Sequence, residues 1–289
     1  MDTLFADLHV HTKYSDGTFS PEESVRYAQK VGLATISITD HDTTEGIPSA
    51  IKEGSKRGIE VIPGIELSVE LKNSHQYEMH ILGYFINWED SSFQQKLKLF
   101  RKARERRAYH ILDKLKGLGI EIDERRLFEI AGIGVIGRLH FAKMLVENKA
   151  VSHTQEAFWK YLGDGKPAYV PKFSLSPDEA IKMILRVGGI PVLAHPHFNS
   201  INCNVVKSLA NFGLKGIEVW HTKHSADETD KFKKMADKLG MIMTGGSDCH
   251  GVMNDEPPIM GKIKVPYSAV IELKKYKNNL EKNHSHLFS

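Results

Sequence analysis

The sequence predicts an α/β protein built around a (β/α) barrel with an all-helical insertion. Short apolar runs alternate with amphipathic helical patterns, which is typical of parallel strand–helix–strand units. Seven such runs favour a barrel over an open sheet. One region of about eighty residues has helical patterns and no strand pattern, which predicts the insertion.

The candidate strands recur along the chain, and between most of them lies an amphipathic helix. The first helix has Ser20 as its N-cap, Pro21 at its first position and Glu23 completing a capping box, and Gly32 ends it. Ser176 begins a helix with the same pattern. The predicted strands end at "LFADLHVH", "ATISITDH", "EVIPGIELS", "MHILGYF", "GIPVLAHP", "KGIEVWH" and "MIMTGGSDCH".

The alternation stops at about residue 88 and resumes at about residue 166. The stretch "SSFQQKLKLFRKARERRAYHILDKLKGLG" predicts one long helix, and "DERRLFEIAG", "GRLHFAKMLVENKA" and "HTQEAFWKYLG" predict shorter ones. We therefore expect a barrel domain formed by residues 1–87 and 166–289, with residues 88–165 as a helical insertion.

Composition narrows the class of partner. A net charge of +3, from 39 Lys+Arg against 36 Asp+Glu, is too small to indicate stable duplex nucleic-acid binding or a membrane-surface protein. Two cysteines do not make a disulfide framework. No apolar run approaches the length of a membrane span. The expectation is a soluble cytoplasmic protein with no obligate protein partner evident.

Histidines and carboxylates stand at the ends of the predicted strands, where barrel active sites are built. Imidazole and carboxylate donors without thiolate suit manganese, iron or zinc in a catalytic site, and this set is too large for one ion. A single strand-end histidine is more often a surface or hydrogen-bonded residue, so the prediction rests on the repeated strand-end position. The nine candidate ligands are His9, His11, Asp16, His41, Glu66, His80, His195, Asp248 and His250.

The motifs around these residues resemble a known family. In order they are "DLHVHTKYSDG", "ITDHDT", "PGIELS", "AHP" and "GGSDCHG", and they resemble the PHP family, the polymerase and histidinol phosphatase superfamily of metal-dependent phosphoesterases. "GRLHFAKMLV" and "YLGDGKPAYVP" are similar to the branch that contains nucleoside 3′,5′-bisphosphate phosphatases and a 5′–3′ exonuclease of short RNA. The resemblance implies a distorted seven-stranded (β/α) barrel, the PHP fold, with a trinuclear metal site.

The resemblance also implies roles for the nine residues. Two or three divalent ions are expected, manganese first, with iron or zinc as alternatives, and a metal-activated hydroxide attacks the phosphoester. Asp16, His41 and Glu66 are the implied catalytic residues. His75 competes with His80, which is preferred because it lies in a strand pattern. The implied ligand sets are His9, His11, Glu66 and Asp248 for one ion, Glu66, His80 and His195 for another, and Asp16, His41 and His250 for a third.

Substrate recognition is expected from both domains. Asp16 and His41 are implied to contact phosphate as well as metal. In the insertion, arginines recur every three residues on the long helix, and a helix N-terminus follows a glycine-rich stretch, which is a favourable phosphate site. A solvated helix face is the commoner meaning of such an arginine row. The candidate substrate residues of the insertion and the segment after it are Arg104, Arg107, Arg138, His140 and Lys166.

The expected function is hydrolysis of the 3′ phosphate of a nucleoside 3′,5′-bisphosphate, giving a 5′ mononucleotide, and of short 5′-phosphorylated RNA in the 5′–3′ direction. A phosphatase of a small metabolite such as histidinol phosphate and a non-catalytic metal-binding regulatory module remain alternatives. A polymerase proofreading domain would require a long adjoining polymerase chain. His197, His221 and His224 are expected near the barrel mouth, and Cys249 is expected to point away from it.

Overall fold

The computed structural model describes residues 4–70, 78–131, 136–171, 173–199, 201–253 and 256–285. The chain divides into two compact units. One comprises Met1–Gln94 and Ser174–Ser289, and the other comprises Gln95–Phe173. The sequence pattern placed the insertion at 88–165, several residues earlier at each end. Among the described residues, no helix has the length and apolar character needed to cross a membrane.

One eight-stranded sheet organises the first unit, with strand order β7-β6-β5-β4-β3-β2-β1-β8. Each of the seven predicted strands is present, so the sequence located the main elements correctly. The strands are β1 (Phe5–Val10), β2 (Thr35–Ile38), β3 (Glu60–Glu70), β4 (Glu78–Tyr84), β5 (Ile190–Leu193), β6 (Gly216–His221), β7 (Ile242–Gly246) and β8 (Val265–Pro266).

Helices occupy most of the segments between strands, and several begin at the caps expected from the sequence. Ser20 and Glu23 form the capping box of α1, and the Ser176 N–H donates to the Glu179 carboxylate at the start of α7. The helices are α1 (Pro21–Lys30), α2 (Ile47–Arg57), α3 (Ser91–Gly117), α4 (Glu124–Ala131), α5 (Arg138–Glu147), α6 (Thr154–Ala157), α7 (Pro177–Arg186), α8 (Cys203–Phe212), α9 (Ala226–Leu239) and α10 (Ser268–Ser285).

The sheet is mixed, whereas the sequence pattern predicted parallel strands. Strand β4 runs antiparallel to both β3 and β5, while β1, β2 and β3 are parallel, as are β5, β6 and β7. The cause is the short connection of seven residues between Glu70 and Glu78. A parallel crossover needs a dozen or more residues, so the chain can only turn back. The N-terminal end of β4 therefore lies beside the C-terminal end of β3.

The predicted number of seven strands is also wrong by one. Strand β8 has two residues and pairs antiparallel with β1. Apolar periodicity cannot identify an element of this length. The sheet nearly closes on itself, because the segment after β7 meets the end of β1. The His11 N–H donates to the Cys249 carbonyl at 2.9 Å, and Val10 and Cys249 form an isolated parallel bridge.

Apolar clusters of described residues lie on the sheet of the first unit. One surrounds Leu8, Tyr84 and Val192, and a second surrounds Val10, Ile36 and Cys249. Cys249 is buried in this second cluster, which confirms that it acts as a small apolar residue.

The second unit is helical, and its described residues form an apolar core of their own. Phe141, Leu145 and Leu162 are fully buried in it. The predicted long helix is α3, and a π-helical turn at Phe158–Leu162 follows α6. The burial of these side chains indicates a unit held together by its own packing.

Closure of the barrel leaves no room for a side chain at Gly246. A methyl group there would lie 2.3 Å from the His9 Cβ and 2.5 Å from the His9 nitrogen. We expect Gly246→Ala to lower the free energy of unfolding by about 1–3 kcal/mol, because backbone atoms must move. Denaturant titration measures this change.

Gly117→Ala is the matched control, since no atom lies within 4 Å of its added methyl group and its φ is not positive. Equal stability of the two variants would show that β1 and the end of β7 are not in close contact.

Candidate metal centre

The nine predicted residues come together at the end of the barrel where the parallel strands finish. His9 lies in β1, His11 just after it, and Glu66 in the second half of β3. His195 and Asp248 follow β5 and β7. His80 lies near the start of β4, which reaches the same mouth because β4 is antiparallel. His75, the alternative to His80 in the sequence, lies outside the described residues.

Glu66 is the centre of the arrangement. Its side chain is 1% exposed, and Oε2 lies 3.3 Å from His9 Nε2, 3.2 Å from His11 Nε2 and 3.1 Å from His41 Nδ1. One oxygen of a buried carboxylate therefore faces three imidazole nitrogens.

The other oxygen of Glu66 faces two further histidines. Oε1 lies 2.9 Å from His80 Nδ1 and 3.0 Å from His195 Nε2, and these two nitrogens are 3.2 Å apart. The carboxylate thus lies between two groups of nitrogen donors, which is the position of a bridging ligand.

Asp248 completes the group around the first strand. Its Oδ1 lies 3.4 Å from His9 Nε2 and 3.2 Å from His11 Nε2. The backbone of Asp248 has φ 57°, and that of His195 has φ 23°. Left-handed backbone is costly for residues other than glycine and is common where a side chain must be aimed into a functional site.

A third group lies around Asp16, which is the more exposed side of the mouth. Asp16 Oδ1 is 3.3 Å from His250 Nε2 and 3.7 Å from His11 Nδ1, and Oδ2 is 3.8 Å from His41 Nε2. His250 Nδ1 donates to the Asp248 carbonyl at 2.9 Å, which leaves Nε2 to face Asp16. The two nitrogens of His41 therefore face two different carboxylates.

Among the residues that the structure describes, ligand-type atoms cluster in three overlapping groups. They differ from the expected sets in four respects: His11 joins the Asp16 group, His41 joins the His80 group, and the groups of His9 and His80 lack Asp248 and His195, respectively. The groups are His11, Asp16, His41 and His250; His9, His11 and Glu66; and His41, Glu66 and His80.

The buried carboxylates at the mouth need positive charge close by to remain ionised. Burial disfavours ionisation of Glu66, but attraction to the imidazoles around it outweighs burial and lowers the pKa of the carboxyl well below its usual value. Burial alone would lower the pKa of His11, yet hydrogen bonds to Asp248 and Glu66 raise it to about 10. Divalent cations would supply this charge in place of protons.

His41 has the protonation state of a metal ligand. Burial dominates and lowers the pKa of its imidazole to about 3, so the ring is neutral at physiological pH. His41 Nδ1 and Glu66 Oε2 are both buried and lie 3.1 Å apart without forming a hydrogen bond to each other. Buried donors that face one another in this way fit a shared cation.

A buried glutamate that sequence reasoning did not single out supports this centre. Glu218 on β6 is fully buried, and its Oε1 lies 3.1 Å from His9 Nδ1. The signal was present in the sequence, because "GIEVWH" places one carboxylate inside an otherwise apolar strand.

Asp40 organises the loop that carries two candidate ligands. It accepts hydrogen bonds from the Thr12 N–H at 2.6 Å, the Thr12 hydroxyl at 2.7 Å and the Ser15 hydroxyl at 2.6 Å. These bonds fix the backbone between His11 and Asp16. Asp40 therefore has a structural role beside its neighbour His41.

The three histidines expected near the mouth lie side by side, and one of them is next to a candidate metal ligand. His221 Nε2 lies 3.7 Å from Asp248 Oδ2, His224 Nδ1 donates to the Val219 carbonyl, and His197 Nδ1 lies 3.2 Å from Glu228. His221 thus extends the contacts of a candidate ligand.

In the helical unit, the candidate substrate residues differ in environment. Arg107 is 8% exposed, and its Nε donates to the Val170 carbonyl at 2.8 Å. His140 Nδ1 accepts the Gly137 N–H at the start of α5. Arg104 is half-buried and Lys166 is exposed.

Arg138 is placed at the first position of α5 with its guanidinium over two aromatic rings. The Phe158 and Tyr169 ring centroids lie 5.9 and 5.7 Å from its Cζ, and Nη1 donates to Asp164 at 2.9 Å. Residues 132–135 of the preceding glycine-rich stretch lie outside the described residues.

A nearly closed barrel whose mouth is lined by histidines and carboxylates is the architecture of a metal-dependent hydrolase. Residues 7–159 match the model of the PHP domain family. The chain belongs to the PHP family.

Relatives and a solved structure agree with this assignment. The chain is 33% identical to a 3′,5′-nucleoside bisphosphate phosphatase of Chromobacterium violaceum, over 88% of this chain and 93% of the relative. It is 34% identical to the 5′-3′ exoribonuclease Rnm of Escherichia coli, over 86% and 87%. A crystal structure from Bifidobacterium adolescentis, assigned as a metal-dependent phosphoesterase, superposes with a TM-score of 0.82 at 27% identity, covering 93% of this chain and 95% of that one.

The overlapping groups predict more than one metal ion per chain. We expect purified protein to contain at least two divalent ions by elemental analysis, and chelation to abolish phosphoesterase activity. Glu66→Gln should remove more metal than any other single change, because both oxygens of Glu66 face nitrogen donors.

Glu60→Gln is the control on the same strand, since Glu60 pairs with Lys274 at 2.7 Å, away from the mouth. An active preparation with one ion or fewer per chain would exclude a multinuclear centre.

Proposed function

We propose that this enzyme hydrolyses the 3′ phosphate of nucleoside 3′,5′-bisphosphates to give a 5′ mononucleotide. We propose further that short RNA with a 5′ phosphate is cut by the same centre in the 5′–3′ direction. The observation that carries both proposals is the position of Glu66 between two groups of imidazole nitrogens. It supports them in a chain that covers 93% of a bisphosphate phosphatase and 87% of an exoribonuclease.

In this proposal the nine residues hold two or three divalent ions, with manganese the first choice for nitrogen and oxygen ligands at this mouth. His9, His11, Glu66 and Asp248 would hold one ion. Bound ions supply Lewis acidity, which lowers the pKa of water and neutralises phosphoryl oxygens. The other ligand sets would be Glu66, His80 and His195, and Asp16, His41 and His250.

The side chains at the mouth have different roles in this proposal according to how exposed they are. Glu66 is buried and orients the nitrogen donors on both of its sides. The Asp16 side chain is 39% exposed and that of His41 17% exposed, so both can meet a phosphate that enters from solvent. Because His41 is neutral, it adds no charge that would oppose cation binding.

The helical unit supplies the second phosphate contact in this proposal. Residues 95–173 contain 17 Lys and Arg against 9 Asp and Glu, whereas the remainder of the chain contains 22 against 27. A basic unit in a chain with an otherwise acidic balance favours a substrate with more than one phosphate. Among the candidate residues, Arg138 and Lys166 are better placed than Arg107, because Arg107 is buried and bonded to Val170.

The direction of attack follows from assigning one phosphate to each unit. In this proposal the 3′ phosphate would lie at the metal-binding residues, and cationic side chains of the helical unit would bind the 5′ phosphate. The first internucleotide linkage of RNA is also a 3′ phosphoester, so one geometry serves both substrates. Each cut then releases a 5′ mononucleotide.

Arg138 tests the role of the helical unit. We expect Arg138→Ala to raise KM for adenosine 3′,5′-bisphosphate about 10- to 100-fold, because a charge-assisted phosphate contact contributes roughly 1.5–3 kcal/mol. Hydrolysis of p-nitrophenyl phosphate, which has one phosphate, should be unchanged. Steady-state kinetics on both substrates measures the difference.

Arg126→Ala is the matched control in the same unit, since Arg126 is exposed and lies 3.5 Å from Glu147. Equal losses on both substrates would mean that Arg138 only supports the fold through Asp164 and its aromatic neighbours.

The identity of the product tests the direction of attack. Adenosine 3′,5′-bisphosphate should yield AMP and phosphate, and a 5′-hydroxyl oligoribonucleotide should be cut far more slowly than its 5′-phosphorylated form. Chromatography of the products distinguishes the two isomers. Formation of adenosine 3′-phosphate would reverse the roles of the two units.

A further inference from the structure

Glu218 contacts two candidate metal ligands at once. It lies on β6, where its neighbours Ile217 and Val219 are also buried, and its own exposed fraction is 0%. Burying a carboxylate in the interior of a sheet is costly, and an apolar residue of similar size is often at least as stabilising. The stability of the fold therefore does not explain why a carboxylate occupies this position.

The first contact fixes the ring of His9. Oε1 and Oε2 of Glu218 lie 3.1 and 3.3 Å from His9 Nδ1. An ionised carboxylate only accepts hydrogen bonds, so His9 carries a proton on Nδ1. Nε2, the other ring nitrogen, then faces Glu66 Oε2 and Asp248 Oδ1, at 3.3 and 3.4 Å, and is the atom left for a metal ion.

The second contact fixes the backbone of His195. The His195 N–H donates to Glu218 Oε2 at 2.7 Å. This residue has φ 23°, a conformation that persists only when surrounding contacts hold it. From this backbone the His195 ring reaches Glu66 Oε1 at 3.0 Å.

We propose that Glu218 is a positioning residue that orients His9 through its ring and His195 through its peptide, and so prepares ligands on both sides of Glu66. The inference rests on the proposed metal site and not on the identity of the substrate. A carboxylate behind a metal-binding histidine fixes its tautomer and its direction, and losing one typically lowers metal affinity or activity 10- to 100-fold.

Glu218→Gln tests this role with little change in volume. If the amide oxygen accepts the His195 N–H, the amide NH₂ faces His9 Nδ1 and moves the His9 proton to Nε2, the atom needed for metal. If the amide flips, its NH₂ opposes the His195 N–H. One amide therefore cannot keep both the His195 hydrogen bond and the His9 tautomer that leaves Nε2 for metal.

The measurement is the affinity of metal-free protein for Mn²⁺ by calorimetry, with the visible spectrum of Co²⁺-loaded protein as a second readout. We expect Glu218→Gln to bind Mn²⁺ about 10- to 100-fold more weakly and to alter the Co²⁺ spectrum. Glu218→Asp keeps an ionised acceptor and should recover part of the affinity.

Glu53→Gln is the control for loss of a buried carboxylate. Glu53 is 6% exposed on α2 and lies 3.0 Å from Arg57, so its loss should affect stability and leave Mn²⁺ affinity unchanged. Wild-type affinity in Glu218→Gln would overturn the proposal. If that variant does not fold, a Mn²⁺ affinity of Glu218→Asp equal to that of the wild-type protein would also overturn the proposal.

The two proposals fail in different ways. A wild-type protein that binds Mn²⁺ but leaves adenosine 3′,5′-bisphosphate intact would refute the proposed substrate and leave the role of Glu218 standing. A wild-type protein that binds no divalent ion would refute both.

Discussion

The contact between the buried Glu66 carboxylate and five imidazoles is the constraint on which the rest of this centre depends. A charged group with 1% exposure is costly unless partners compensate it, and here each oxygen faces nitrogen donors from a different group of strands. The donors approach one another to between 3 and 3.5 Å, as do His9 Nε2 and His11 Nε2 at 3.1 Å. Nitrogen and oxygen atoms this close together are stabilised by positive charge between them. The barrel therefore favours cation binding at this mouth.

The barrel makes this crowding possible by closing tightly at its mouth. Gly246 allows the end of β7 to meet β1, which brings Asp248 and His250 beside His9 and His11. The antiparallel pairing of β4 with β3 brings in His80 from the start of a strand rather than from its end. Left-handed backbone at His195 and Asp248 aims the remaining donors inward. The strain at these two residues is offset by contacts such as the one from Glu218 to the His195 N–H.

Charge separates the two units as clearly as their secondary structure does. The acidic balance of the barrel unit suits divalent cations, while the basic balance of residues 95–173 suits phosphate. Within the basic unit, however, burial removes some cations from consideration. Arg107 donates to the Val170 carbonyl and is nearly inaccessible. The three-residue spacing of Arg104 and Arg107 is therefore explained by the packing of α3 as well as by substrate recognition.

The sequence by itself determined the seven main strands, the long helix α3 and the set of nine donors, because periodicity, capping residues and strand-end position are local properties. It did not determine the direction of β4 or the two-residue strand β8, since these depend on which distant backbone is available to pair. Sequence analysis also missed Glu218, which is 209 residues from His9 in the chain and contacts it only in the folded barrel. The metal-binding roles and the phosphate contacts remain predictions. Which oxygen of Glu66 faces which histidine was decided only by the tertiary structure, because several strands must converge before one buried charge can contact five rings.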